Sequence, residues 1–236
     1  MDRSQEVYVE NEPTTRIKTV GKQNQLPRDE IAARQLEHLE HFVRSRDGRT
    51  RAAGLKLSHR SLIEPQLYLG RLLEHGFAMV LLLRDNFLRS AVSQLRAETR
   101  AKNPDKYSRE WENPWAVSVH EPKPGPMHID AELAIRVAGE FAHAHSATLD
   151  SVARVFGQDC LLIEYTELAA DPAQVLRRIY SYLGFAGPKS IWLPYRKATS
   201  EDLSQDITNY DAFERRVRDA GLARFLPNQR YPGGKR

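Results

Sequence analysis

Residues 78–83 form an unbroken apolar run of strand length that stops at Arg84. Such a run fits a strand covered on both faces in a parallel sheet better than an alternating surface strand. Asp85 or Asn86 can then cap a helix whose apolar positions Leu88, Val92 and Leu95 fall at spacings of four and three. Upstream, 29–44 predicts a helix with Ile31, Leu36, Leu39 and Val43 inward, and Gly48 follows its end. Residues 52–57 predict a short buried strand, and Ser61 can cap a helix that runs to about Glu74, where Gly76 stops it. Downstream, 130–156 predicts a long helix with Leu133, Val137, Phe141, Val152 and Val155 on one stripe, and 161–165 a further strand. Asp171, Pro172 and Gln174 read as a cap, a first-turn proline and a capping-box partner, with Gly184 closing that helix. Residues 209–220 predict a last short helix.

Strands alternating with longer helices predict an α/β fold, a parallel sheet flanked by crossover helices, as one domain over 1–236. Three segments fall outside that rhythm. Residues 1–27 read as a polar, irregular arm apart from the Val7–Val9 alternation, and 227–236 as a flexible Pro/Gly/Lys/Arg tail. Residues 103–128 carry five prolines with Trp111 and Trp115, which predicts an irregular loop. A loop of that length in a compact domain is usually a functional lid or disordered, and the tryptophans favour a lid. The alternative is a surface loop that the two rings anchor to the core.

Composition narrows the classes. Forty-one per cent hydrophobic and 28% charged residues are ordinary for a globular chain of 236 residues. A net charge of +4 fits an anionic small ligand or an acidic partner. Basic and acidic residues alternate without long like-charge blocks, which argues against nucleic acid. The single cysteine, Cys160, excludes an internal disulfide and a cysteine-rich metal site, and its place before an apolar run marks a small core residue. His143 and His145 are two apart and face different sides of their helix, so no metal is expected. No apolar run approaches the roughly 20 residues that span a bilayer, and Met1 is followed by charge; no membrane span and a cytoplasmic location are expected.

The chemistry concentrates at Arg84. Ligands of open α/β sheets bind at the carboxyl ends of strands, and the first turn of a helix presents N–H groups and a positive dipole end to an anion. An arginine there can hold a phosphate through two charge-assisted hydrogen bonds, and Ser93 lies over two turns along the same helix. The residues alone equally allow Arg84 to pair with a carboxylate at a sheet edge and Ser93 to be a surface hydroxyl.

Three stretches in order, LLLRDNFLRSAVSQLRA, LLIEYTELAADPAQVLRRIYSYLGF and ITNYDAFERRVRDAGLARFL, resemble the bacterial sulfotransferases of the trehalose- and nodulation-factor-sulfating kind. That resemblance implies a phosphate-loop NTPase-like sheet. It also implies transfer of a sulfuryl group from 3′-phosphoadenosine 5′-phosphosulfate to a hydroxyl or amine, without a metal. Arg84 and Ser93 match the arginine and serine that hold the donor's 3′-phosphate, and Arg196 and Lys197 match a basic segment that reaches the nucleotide. VYVENEP resembles the place of the glutamate that deprotonates the acceptor; Glu12 is the match, with Arg16 as an orienting partner. Trp111 and Trp115 could stack on a sugar face, which points to a carbohydrate or glycolipid hydroxyl, though they also suit phenols and lipids.

One element of the pattern is missing. The glycine- and serine- or threonine-rich loop that clasps the 5′-phosphosulfate has no counterpart, and Val20-Gly21-Lys22-Gln23 lacks both the preceding strand and the spacing. The alignment of VYVENEP implies that the first, loop-bearing strand and its crossover are missing, either because the reading frame starts too late or because the chain is degenerate. A sheet without that strand is expected to be marginal or aggregation-prone, with weakened donor binding. The alternative function is then a non-catalytic nucleotide-binding or interaction protein on the same scaffold. A phosphate-loop kinase or nucleic-acid binder fits less well, since the lysine loop and a basic stripe are both absent.

Overall fold

The structure, a computed structural model, describes residues 7–45, 52–102, 116–120, 122–187, 195–200 and 202–226. They form a mixed α/β protein whose chain divides into two compact units, Met1–Leu81 with Ala144–Leu162, and Leu82–His143 with Ile163–Arg236. The division falls inside three regular elements: β3 (Met79–Leu83), α5 (Ala131–Phe156) and β5 (Cys160–Glu164).

In the first unit, β1 (Val7–Asn11) runs parallel to β2 (Ala52–Lys56), with Val7 opposite Ala52 and Asn11 opposite Lys56. The Glu12 N–H donates to the Lys56 carbonyl at 2.8 Å, which carries the pairing one residue further. The backbone then turns left-handed at Glu12 (φ 48°) and enters α1 (Pro13–Gln23). The irregular arm expected over 1–27 therefore holds a strand and a helix between Val7 and Gln23, and its residues 24–27 form a turn and coil. Proline suits the first turn of a helix. Three features bind the polar-looking α1 to α2 (Arg28–Arg44): buried Thr14, Ile17 packed on Ile31 and Ile63, and Gly21. A β-carbon on Gly21 would lie 2.6 Å from Ile31 Cγ1, so the helices meet where only hydrogen fits.

A polar clamp completes this corner. Gln35 is buried; its amide donates to the Thr14 and Ser61 carbonyls at 3.1 and 2.8 Å, and its oxygen accepts from the Ile63 N–H at 3.0 Å. Ser61 does not cap a helix as expected. Its hydroxyl donates to the Ser58 carbonyl within a 3₁₀ turn, His59–Ser61, and α3 (Pro65–Glu74) begins at Pro65, whose missing N–H costs nothing in a first turn. Gly76, at φ 71°, ends α3 as expected. The unit's core joins Leu39, Tyr68, Leu69, Leu72, Val152 and Phe156, and Cys160 packs against it.

β3 pairs with β5. The expectation that β3 is covered on both faces fails at Leu82, which is 50% exposed. The strand expected over 161–165 is shifted by one residue, and Tyr165 instead opens α6 (Tyr165–Ala170).

In the second unit, Asn86 caps α4 (Phe87–Lys102) by accepting the Arg89 N–H at 3.0 Å. Leu88, Val92 and Leu95 are buried as their spacing requires, in a core shared with Ile129, Val137, Phe213 and Val217. Asp171 caps α7 (Pro172–Tyr182) through the Gln174 N–H at 2.9 Å, and Gly184 follows at φ 75°. Asn209 precedes α8 (Tyr210–Asp219) without a side-chain cap. Its amide instead makes two bonds to the Ile129 backbone, 3.1 and 2.9 Å, tying α8 to the start of α5.

The proline-rich stretch is not irregular throughout. Its proline-free residues Ala116–Ser118 form β4, antiparallel to β6 (Tyr195–Lys197), so Arg196 and Lys197 lie on a strand. Among the described residues the expected single parallel sheet is thus resolved into three two-stranded pairs, of which β1–β2 is parallel and β4–β6 antiparallel. Strands of three to five residues offer few ladder positions to a third neighbour. Trp111, Trp115 and the 227–236 tail lie outside the described residues.

Candidate functional site

Arg84 directly follows β3, and Tyr165 directly follows β5, the strand paired with it. The Arg84 guanidinium carbon lies 4.6 Å from the centre of the Tyr165 ring, and Lys197 Nζ, from the end of β6, lies 4.7 Å from the same centre. The two cations are therefore no farther apart than the sum of those distances. All three side chains are half-buried and belong to the second unit.

A ring face attracts each cation by about 0.5 to 2 kcal/mol, depending on desolvation. That attraction helps hold a guanidinium and an ammonium near each other against their mutual repulsion. The pair raises the local positive potential and suits a ligand with several anionic oxygens. The guanidinium offers a planar two-pronged grip and the ammonium a point charge.

Arg196, one position earlier and exposed, lies on the other side of its strand by the alternation of side chains. Ser93 is half-buried on α4, six residues into the helix or about 9 Å along its axis. It shares a stripe with Arg89, Arg96 and Arg100, at spacings of four, three and four. Arg89 Nη2 donates to the Ser200 carbonyl at 2.8 Å, three residues past Lys197.

Glu12 belongs to the first unit. Its carboxylate is 35% exposed, 2.9 Å from Lys56 Nζ, and accepts a 3.4 Å bond from the Thr15 hydroxyl. The expected orienting partner, Arg16, pairs instead with Glu10 at 3.5 Å, and His38 Nε2 reaches the same Glu10 oxygen at 3.1 Å. A strand side chain two positions back and a helix residue four positions on can meet; Lys56 supplies the Glu12 pairing because it ends the neighbouring strand.

The structure thus brings Arg84 and Lys197 together. It sets Ser93 on the polar stripe of the helix that follows Arg84, and it places Glu12 in the other unit. Tyr165 is the residue to which sequence reasoning gave no role, although its place at the carboxyl end of a strand was visible. A cavity of about 490 Å³ beside the start of α8, lined among others by Ser204, Thr208, Tyr210 and Arg215, contains none of the expected site residues. Among the described residues no cluster of three metal-ligating side chains occurs, and no helix is long and apolar enough to cross a membrane.

The fold and this cluster define a mixed α/β protein with an anion-suited pair of cations on one aromatic ring. No family model matches the chain, and no curated protein matches it. Among solved structures it is similar to a sulfotransferase from Alicyclobacillus acidocaldarius, at 15% identity over 92% of this chain and 85% of that one, with a TM-score of 0.39. A likeness of that degree assigns neither chemistry nor ligand.

Proposed function

We propose that this protein is a sulfotransferase that takes a sulfuryl group from 3′-phosphoadenosine 5′-phosphosulfate and passes it to a hydroxyl, of a carbohydrate or glycolipid. The observation that carries the proposal is the meeting of Arg84 and Lys197 on Tyr165. The two cations are 113 positions apart in the chain, and each was singled out for the same ligand by its own segment.

In the proposed reaction the acceptor oxygen forms a bond to sulfur, and the bond from sulfur to the bridging phosphate oxygen breaks. The acceptor proton passes to the Glu12 carboxylate, and adenosine 3′,5′-bisphosphate leaves. Arg84, Lys197 and Ser93 hold the donor's 3′-phosphate, and Arg196 adds charge near the nucleotide. As in phosphoryl transfer, most of the catalysis is positioning and charge neutralisation. A carboxylate base adds roughly 10²- to 10⁴-fold. Trp111 and Trp115 are proposed to contact the acceptor.

The test is transfer of labelled sulfate from the donor to a panel of sugars, glycolipids and phenols. Labelled product that depends on Arg84 and Glu12 supports the assignment. Nucleotide binding without transfer to any acceptor points instead to a non-catalytic nucleotide-binding protein on the same scaffold. One observation favours that second reading: both Glu12 oxygens already have partners, Lys56 and Thr15.

A further inference from the structure

We infer that Arg96 and Asp206 are a positioning pair that sets Lys197 relative to the Ser93 face of α4; the inference rests on the proposed role of Lys197 in holding the donor. Arg96 is fully buried on α4, one turn past Ser93. Its guanidinium donates to the Asp206 carbonyl and to the Pro124 and Gly125 carbonyls, both at 3.2 Å, and stands 3.3 Å from Asp206 Oδ1. Asp206 is 1% exposed, and its other carboxylate oxygen accepts the Ser200 N–H at 2.6 Å. The Ser200 carbonyl accepts from Arg89, on the same α4 stripe and one turn before Ser93.

Two arginines that flank Ser93 therefore staple one short segment of chain, and that segment begins directly after Lys197. Ala198 and Thr199, the only residues between Lys197 and the stapled Ser200, are buried, which leaves the tether little slack. A buried ion pair is a poor source of stability, because desolvating two charges offsets most of their attraction. Here it also connects four backbone groups and a charge, so its removal shifts geometry as well as energy. The Asp206 carbonyl additionally accepts the Met127 N–H at 3.0 Å, extending the frame to the segment that leads into α5. Arg96 and Asp206 touch no ligand atom in this scheme and act through Lys197.

The test uses the full chain with three variants. Arg96→Met with Asp206→Leu replaces the pair by apolar side chains of similar size, which avoids leaving one charge buried alone. Arg89→Gln loosens the same segment from a half-buried position, and keeps the test alive should the double variant fail to fold. Lys197→Ala supplies the reference for coupling.

The first readout needs no nucleotide: the rate at which Lys197 is acetylated by an amine-reactive ester, followed by peptide mass spectrometry. Both the pair variant and Arg89→Gln are expected to change that rate at Lys197 while leaving Lys56 at its wild-type rate. Unchanged reactivity of Lys197 in folded variants overturns the inference. The second readout is calorimetric affinity for adenosine 3′,5′-bisphosphate. The variants are expected to lose roughly tenfold, the middle of the range for residues coupled through one network, and to lose nothing further once Lys197 is alanine. Losses that simply add to that of Lys197→Ala overturn the inference. If the wild-type chain binds no bisphosphate, the functional proposal fails, and the acetylation rates still decide whether the pair positions Lys197.

Discussion

Under the proposed function, Arg84 and Lys197 divide the work of holding the donor by the shape of their charged groups. Arg84→Lys keeps the charge at the end of β3 and loses the planar fork, so the affinity for adenosine 3′,5′-bisphosphate should fall about tenfold, with a smaller effect on a single-phosphate ligand. Titration calorimetry of the two proteins checks this. His59 gives a pH dependence. Burial pushes its imidazole below its ordinary value of 6.5, so between that value and the lowered one the unfolded chain binds more protons than the folded chain. Its contribution to stability is present above about pH 6.5 and is lost as the pH falls through the lowered pKa. The melting temperature should fall between pH 7 and pH 5, and His59→Gln should flatten part of that slope. Arg84 was legible as a cation at a strand end, and Asn86 as one of two caps. Tyr165 was not, because the aromatic partner of a cation is a three-dimensional neighbour that no spacing in the chain encodes.

Helices with their own caps or an apolar stripe were legible, and α1, bound through contacts with other segments, was not. Asp171, Pro172 and Gln174 spell the start of α7, and Asp171→Ala should cost about 1 kcal/mol, seen as a lower urea midpoint. α1 was missed because its partners come from elsewhere: Thr14 needs Ser61, and Gly21 needs Ile31. Gly21→Ala should therefore destabilise by roughly 1 to 3 kcal/mol although alanine is the better helix former. Ile31→Ala in that background should cost less than Ile31→Ala alone, since the clash at 2.6 Å disappears with the larger side chain. Denaturant curves of the three variants decide the matter. The β4–β6 pair was illegible for a related reason: three residues hold too little alternation to signal a strand, and their pairing joins segments about 80 positions apart.

For the whole molecule, the net charge of +4 fits an anionic small ligand or an acidic partner, and the second unit brings two cations, Arg84 and Lys197, to one ring. The polar stripe Arg89, Ser93, Arg96 and Arg100 was written in the sequence at helical spacing, but only the structure separates its roles. Arg89 and Arg96 bind backbone carbonyls, and Ser93 between them is half-buried. Binding to a half-buried cation pair of this kind should weaken modestly as salt is raised from 0.05 to 0.5 M, because charges open to solvent are screened over about 10 Å at 0.1 M and partly buried ones less. The most direct measurement of the central claim compares the affinities of adenosine 3′,5′-bisphosphate and adenosine 5′-monophosphate for the wild type and for Arg84→Ala. The wild type is expected to prefer the bisphosphate tenfold or more, and Arg84→Ala to lose that preference. Equal affinities in the wild type, or a preference that survives Arg84→Ala, would contradict the claim.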